Sequence, residues 1–187
     1  MDKLKVIGIS GSLRAKSRNT ALLKTAAELA KDFMDITLYD IGNVPLYNFD
    51  EEVLEIPESV KKFKSAIAGS DAILFSFPEY NASIPGVLKN AIDWASRPES
   101  PLNGIPCAII GSSPGLSGTA RAQAHFRNIA SAVNMICMNK PEIQVRKINE
   151  LLDENYSLND PVTLEHLKLF LKSFESWILQ FIKIKQL

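Results

Sequence analysis

The stretch Ala72–Phe77 (AILFSF) sets the tightest limit on what this chain can fold into. It is apolar almost throughout, and Pro78 stops it. A strand of that kind has no polar face to offer water, so both faces must be covered, as at the centre of a parallel sheet. Parallel neighbours need crossover connections, usually helices. The rest of the chain therefore has to alternate helix with strand.

It does so in order. Lys5–Ser10 (KVIGIS) reads as a buried first strand that ends at Gly11. Asn19 to Lys31 reads as a helix with apolar positions Leu22, Leu23, Ala26, Ala27 and Leu29. Ile36–Tyr39 is a short second strand, and residues 42–57, with Pro45 and Pro57, read as a long loop. Pro57–Ala68 is the next helix, opened by proline at its first turn. After the central strand, Pro85–Trp94 begins a third helix, Ile105–Ile110 is a fourth strand and Gly118–Ala132 a fourth helix. Residues 135–145 hold a short fifth strand. Thr163–Ile184 closes the chain as a helix with Leu167, Phe170, Leu171, Phe174, Trp177, Ile178, Phe181 and Ile182 on a core-facing stripe. Its Lys168, Lys172, Lys183 and Lys185 read as a solvated face rather than a membrane-binding one.

This alternation predicts an α/β fold. Five strands suit a flavodoxin-like, doubly wound parallel sheet in the order 2-1-3-4-5, with helices on both faces. A length of 187 residues fits a single domain over residues 1–187. Net charge is zero, with 21 basic and 21 acidic residues, which disfavours a nucleic-acid partner. No run approaches the roughly 18 apolar residues of a membrane span. The N-terminal apolar stretch is too short for a signal peptide. Cys107 and Cys137 have neither zinc-site nor disulfide-scaffold spacing and read as small buried thiols. They fit a reducing cytoplasm. No His, Asp or Glu cluster has metal-ligand spacing.

In such a sheet, ligands bind beyond the carboxyl ends of the strands where the strand order reverses. The loops after strands 1, 3 and 4 are thus the candidates. The first, Gly11 to Thr20, is rich in hydroxyls and ends at a helix start, where unpaired N–H groups suit a phosphate. Ser12, Ser17, Asn19 and Thr20 can add donors and Arg14 a fixed charge. The lesser alternative is that Ser17 or Asn19 simply caps the helix. Neither GxxxxGK[ST] nor GxGxxG is present, which leaves a mononucleotide phosphate. The loop after strand 3, Pro78-Glu79-Tyr80-Asn81-Ala82-Ser83-Ile84-Pro85-Gly86, is packed with turn residues and can offer backbone N–H groups to the edge of a flat heterocycle.

Three stretches resemble the NADPH-dependent FMN reductase family, whose members include quinone, azo-dye and chromate reductases. They are Gly11-Ser12-Leu13-Arg14 with Ser17 and Asn19; Pro78-Glu79-Tyr80-Asn81 followed by Ile84-Pro85-Gly86-Val87-Leu88-Lys89-Asn90-Ala91-Ile92-Asp93-Trp94; and Ser112-Ser113-Pro114-Gly115 through Gly118, Ala120-Arg121 and Met138-Asn139-Lys140-Pro141-Glu142. The resemblance runs in order over roughly residues 4 to 145. It implies bound FMN, with the phosphate held by Ser12, Arg14, Ser17, Asn19 and Thr20. Pro78, Glu79, Tyr80 and Asn81 would flank the isoalloxazine ring. Ser112, Ser113 and Gly115 would face the ribityl chain or ring edge. It further implies NADPH or NADH as co-substrate, a small acceptor (quinone, azo compound, flavin or metal oxyanion), and a homodimer or homotetramer. One departure is Thr119, where many relatives carry a glycine, and it bears on the shape of the strand-4 loop.

Beside the third helix, Trp94 reads as packing and Asp93 with Arg97 as an i,i+4 pair. Two rivals stand beside the reductase. Gly111-Ser112-Ser113-Pro114-Gly115 matches the G-x-S-x-G nucleophile elbow, with Asp160 and His166 completing a chain-ordered triad. Pro114 has no N–H for the oxyanion hole, which counts against it. The other is a flavodoxin-type electron carrier that does not oxidise NADPH itself. The usual strong acidity of such carriers is missing here.

Overall fold

The computed structural model describes residues 3–185. The strands are β1 (Leu4–Ser10), β2 (Met34–Tyr39), β3 (Ala72–Ser76), β4 (Pro106–Ser112), β5 (Ile136–Cys137) and β6 (Ile143–Val145). All pair in parallel, in the order β2-β1-β3-β4-β5, with β6 also on β4. Every residue of β3 and β4 is buried, as the apolar run requires. Among the described residues six α-helices accompany them, α1 (Arg18–Ala30), α2 (Phe49–Leu54), α3 (Glu58–Ala68), α4 (Gly86–Ala95), α5 (Ala120–Ala132) and α6 (Pro161–Lys185), with a 3-10 turn at Ile148–Glu150.

Successive strand residues point to opposite faces, so the sheet divides the core in two. On one face Val6, Leu74, Ala108 and Ile110 meet Leu22, Leu23 and Ala26 of α1 and Leu167, Phe170, Leu171, Phe174 and Ile178 of α6. On the other, Ile7, Ile9, Ile73, Phe75 and Ile109 meet α3, α4 and α5, with the Phe126 ring 4.7 Å from Phe75 and 5.3 Å from Phe77. The predicted stripe of α6 is therefore a core face. Its Trp177 also donates from the indole to the Ile136 carbonyl (3.2 Å). The side chains of Lys183 and Lys185 lie outside the described residues. Among those described, no helix is long and apolar enough to cross a membrane.

Three local expectations need correction. The 42–57 segment is not all loop, because α2 forms within it. Asn48 caps that helix by accepting from the Asp50 N–H (3.0 Å), and Asp50, Glu51 and Glu52 fill the first turn, where the helix dipole favours acids. The fifth strand is split. β5 pairs with the start of β4 and β6 with its end, and between them Pro141 has no N–H to give a ladder. Asp93 and Arg97 are not partners. α4 stops at Ala95, so Arg97 has left the helical spacing; Asp93 pairs with Lys89 (2.6 Å) one turn earlier. Arg97 instead holds Glu52 of α2 (3.0 Å). Hydrogen bonds from Arg97 and the Tyr47 hydroxyl keep the Glu52 carboxyl below its ordinary pKa. Trp94 packs as expected, fully buried, with its N–H on the Pro45 carbonyl (2.9 Å).

Candidate functional site

The loops after β1, β3 and β4 leave neighbouring strands at the same end of the sheet. Gly11 opens the first. A Cβ there would stand 2.6 Å from that of Phe77, so only glycine lets this turn lie against the chain leaving β3. Its N–H donates to the Ser76 carbonyl (2.9 Å). Ser17 is the N-cap of α1, and its hydroxyl oxygen accepts from the Thr20 N–H (3.1 Å). That leaves the hydroxyl proton free to donate. The Thr20 hydroxyl lies 2.7 Å from that of Ser10, and the Ser12 N–H reaches the same Ser10 oxygen at 3.4 Å. The backbone N–H groups of Arg18 and Asn19 have no partner among the described residues, as expected for the first turn of a helix. Arg14 is exposed and makes no ion pair among them.

Asn19 has a different job. Its carboxamide is buried. Nδ2 donates to the Ser112 carbonyl (3.1 Å), and Oδ1 accepts from the Ser112 N–H (2.8 Å) and hydroxyl (3.3 Å). The Ser76 hydroxyl donates to the Asn19 carbonyl (2.8 Å). β3 ends at Ser76, opposite Ile110, and Pro78 then turns the chain away. Ser112 thus lies past the last rung of β3, and one side-chain amide takes the place of the missing strand. The N–H, carbonyl and hydroxyl of Ser112 all go to Asn19. The two residues come together as expected, but they spend their hydrogen bonds on each other.

After β3, Tyr80 and Ser83 exchange backbone hydrogen bonds (3.0 and 2.9 Å) around Asn81 (φ 50°) and Ala82 (φ 61°). Two positive φ values between paired residues make a type I′ turn, and asparagine favours that conformation. Within 79–81 the Tyr80 N–H is therefore taken, while those of Glu79 and Asn81 have no partner among the described residues. The Glu79 carboxylate points the other way. It accepts from the N–H groups of Arg121 (3.0 Å) and Ala122 (3.1 Å) and from the Arg121 guanidinium (2.9 Å), capping α5 from a distant loop. The Ser83 hydroxyl meets His125 Nδ1 at 2.8 Å. These contacts hold the turn against α5. If the resemblance is right that residues 79–81 flank a flavin, and they do so through the backbone, Asn81→Gly should keep the turn, with flavin affinity within about threefold. Asn81→Pro cannot reach this φ and should lose both. Fluorescence titration with FMN checks the pair, and loss of affinity in Asn81→Gly would assign the contact to the side chain.

After β4, Ser113 bonds through its N–H to Val145 (3.0 Å) and its hydroxyl donates to the Gly115 carbonyl (3.3 Å), which also accepts from the Lys147 N–H (3.1 Å). Gly118 sits at φ 63°, close against Gln144. Thr119 is fully buried. Its hydroxyl accepts from Gln123 (3.0 Å) and fills the space a Cβ on Gly111 would need, 2.1 Å away. The triad reading finds no support here. Ser113 faces Gly115, Asp160 is engaged by the N–H and hydroxyl of Thr163, and no hydrogen bond joins Ser113, Asp160 and His166 among the described residues.

The arrangement thus offers a phosphate-sized cluster of donors at α1 and free N–H groups at the Tyr80 turn, with an Asn19–Ser112 clasp bracing them. Sequence reading missed the Glu79–Arg121 cap, the Ser83–His125 contact and the roles of Ser10 and Ser76. All but the Ser10 contacts, which stay within the first loop, link residues far apart in the chain, so no spacing marks them.

Comparison with known proteins finds relatives over nearly the whole chain. The family model for NADPH-dependent FMN reductase matches residues 4–150. An NAD(P)H-dependent FMN reductase of Pseudomonas aeruginosa is 45% identical over 178 residues, covering 95% of this chain and 96% of the relative. A 2-hydroxy-1,4-benzoquinone reductase of a Burkholderia species is 40% identical over 94% of this chain and 96% of its own. Among solved structures, the flavoenzyme NAD(P)H:(acceptor) oxidoreductase FerB of Paracoccus denitrificans superposes with a TM-score of 0.89 at 39% identity, covering 95% of this chain and 98% of its own.

Proposed function

The chain belongs to the NADPH-dependent FMN reductase family, and on that premise we propose that it holds FMN across the β1–α1 and β3–α4 loops. It is an NAD(P)H oxidoreductase that passes two electrons through FMN to a small acceptor. The residues present fit that cofactor. The Ser17 hydroxyl and the N–H groups of Arg18 and Asn19 stand together at the start of α1, where a phosphate monoester needs donors, and the exposed Arg14 precedes them in the same loop. Ser12 and Thr20 complete that loop. The N–H groups of Glu79 and Asn81 remain for the edge of a flat ring, beside Pro78 and the half-exposed Tyr80 side chain (49%). Ser113 and Gly115 border the same crevice.

Bound FMN supplies the redox chemistry, taking a hydride from the nicotinamide and returning two electrons to the acceptor. The chain's own residues bind and orient. The observation that carries the reading is the Asn19 clasp, because it fixes the phosphate loop after β1 against the ends of β3 and β4, whose loops would border the flavin. No side-chain acid or base is assigned.

Quinones are the acceptor class best supported, given the Burkholderia relative and the quinone reductase of Escherichia coli, 39% identical over 181 residues. Azo compounds, free flavin and metal oxyanions fit an open ring face as well. The chain works as a homodimer or homotetramer; exposed Leu46, Phe49, Val53 and Leu54 on and before α2 support an apolar contact there. Free thiols at Cys107 and Cys137 support a cytoplasmic location.

An absorbance spectrum of the purified protein, followed by quinone-dependent NADPH and NADH oxidation, tests the reading. The protein should bind FMN in preference to riboflavin. Steady-state kinetics should be ping-pong, with co-substrate and quinone competing for one ring face. Intersecting lines would mean two separate sites. A flavodoxin-type carrier would bind FMN without oxidising NADPH.

A further inference from the structure

The flank of α1 carries a groove that shares Ser17 and Thr20 with the candidate phosphate loop and otherwise runs away from it along the helix. It encloses about 750 Å³ between α1 and the 154–158 segment, and Lys16, Ser17, Thr20, Lys24, Tyr156 and Leu158 are among its walls. That volume suits a nucleotide. Ala21 and Leu158 give it a buried apolar floor.

Tyr156 stands at φ 60°, a conformation that is a clear outlier for a bulky residue. The turn around it enforces this. Asp153 accepts from the N–H groups of Asn155 (2.8 Å) and Ser157 (2.9 Å) through its carboxylate and from the Tyr156 N–H (3.0 Å) through its carbonyl. Strain that a structure actively maintains points to a use for the side chain. The Lys16 ammonium lies 5.7 Å from the centre of the Tyr156 ring. Neither Lys16 nor Lys24 makes an ion pair among the described residues, whereas Glu28, on the same wall, is bonded to Lys31.

We propose that this groove binds the 2′-phosphoadenosine end of NADPH, with Tyr156 against the adenine and Lys16 and Lys24 on the 2′-phosphate. The inference rests on the reading above that NAD(P)H reduces a flavin held by the β1–α1 loop. Ser17 and Thr20 belong both to that loop and to the groove wall, so a dinucleotide seated here continues directly toward the flavin crevice. The other cavity beside α1, about 430 Å³, carries Asp40, whose carboxylate is fixed at the rim by the Gly42 N–H (2.8 Å). One cation, Arg14, faces that carboxylate in the smaller cavity, whereas the groove sets Lys16 and Lys24 against Glu28, already bonded to Lys31, and the exposed Glu154, so the 2′-phosphate is assigned to the lysine side.

Two measurements test this. In kinetics at saturating FMN, Lys16→Ala with Lys24→Ala should raise KM for NADPH at least tenfold and leave KM for NADH within twofold. Tyr156→Gly, which suits the local φ and should fold normally, should raise both KM values about fivefold or more through lost stacking. Independently, calorimetry on the FMN-loaded protein should show 2′,5′-ADP binding at least tenfold more tightly than 5′-AMP, with the difference lost in the double lysine variant. An unchanged NADPH-to-NADH KM ratio in that variant, or equal binding of the two adenylates by the native protein, overturns the proposal. Preferred binding of 2′,5′-ADP by a protein that oxidises neither co-substrate would uphold the groove and sink the reductase reading.

Discussion

Asn19→Ala is expected to lower the melting temperature by about 10 °C. The substitution strips partners from the Ser112 N–H and carbonyl, both buried beyond the end of β3. A buried polar group left unpaired costs about 1–3 kcal/mol, so the two together come to about 3–4 kcal/mol. At this chain length each kcal/mol corresponds to roughly 2–4 °C. FMN affinity should fall as well, because the phosphate loop loses its anchor to β3 and β4. Differential scanning fluorimetry with and without FMN reads both effects. A melting temperature within 2 °C of the native protein would show that Asn19 is not the clasp described here.

Arg14→Ala with Ser17→Ala should act on binding instead. Charge-assisted hydrogen bonds to a phosphate contribute about 1.5–3 kcal/mol. At about 1.4 kcal/mol per decade, the FMN dissociation constant should rise between tenfold and a hundredfold. Loss of the Ser17 cap adds about 1 kcal/mol of destabilisation, a few degrees at most. NADPH oxidation should fall at limiting FMN and recover at saturating FMN, since nothing in the chemistry was removed. Riboflavin affinity, lacking the phosphate, should hardly change. If FMN and riboflavin weaken equally, the phosphate sits elsewhere.

The contrast between these two experiments marks where reading the chain stops. Ser17 and Asn19 look equivalent in sequence, as two polar residues at a helix start. In the structure Ser17 caps α1 and keeps a proton to donate, while Asn19 turns inward to a strand that begins more than eighty residues later. α2 was legible in principle, because Asn48 followed by Glu51 is an N-terminal signature. Pro45 and Pro57 obscured it, and its apolar residues mark no buried face. Arg97 illustrates the reverse error. Spacing of four from Asp93 suggests a helical pair, but the pair needs a helix that continues, and α4 does not.

What the sequence determined by itself is the alternation of apolar runs with amphipathic helices, the parallel sheet this demands and the end of the sheet where ligands collect. Hydrophobic periodicity is local, and it survives being read one window at a time. The three loop motifs are local as well, so the cofactor class could be read from them. Only the tertiary structure decided which polar groups are spent and which stay free. The Glu79 carboxylate is spent on capping α5, which leaves its N–H for a ring edge, and Ser112 closes on Asn19. Lys16, Lys24 and Tyr156 form one groove although 140 residues separate the first from the last. Burial makes hydrogen bonds obligatory, and the chain can satisfy them with partners at any sequence distance, so their assignment is a property of the packed molecule alone.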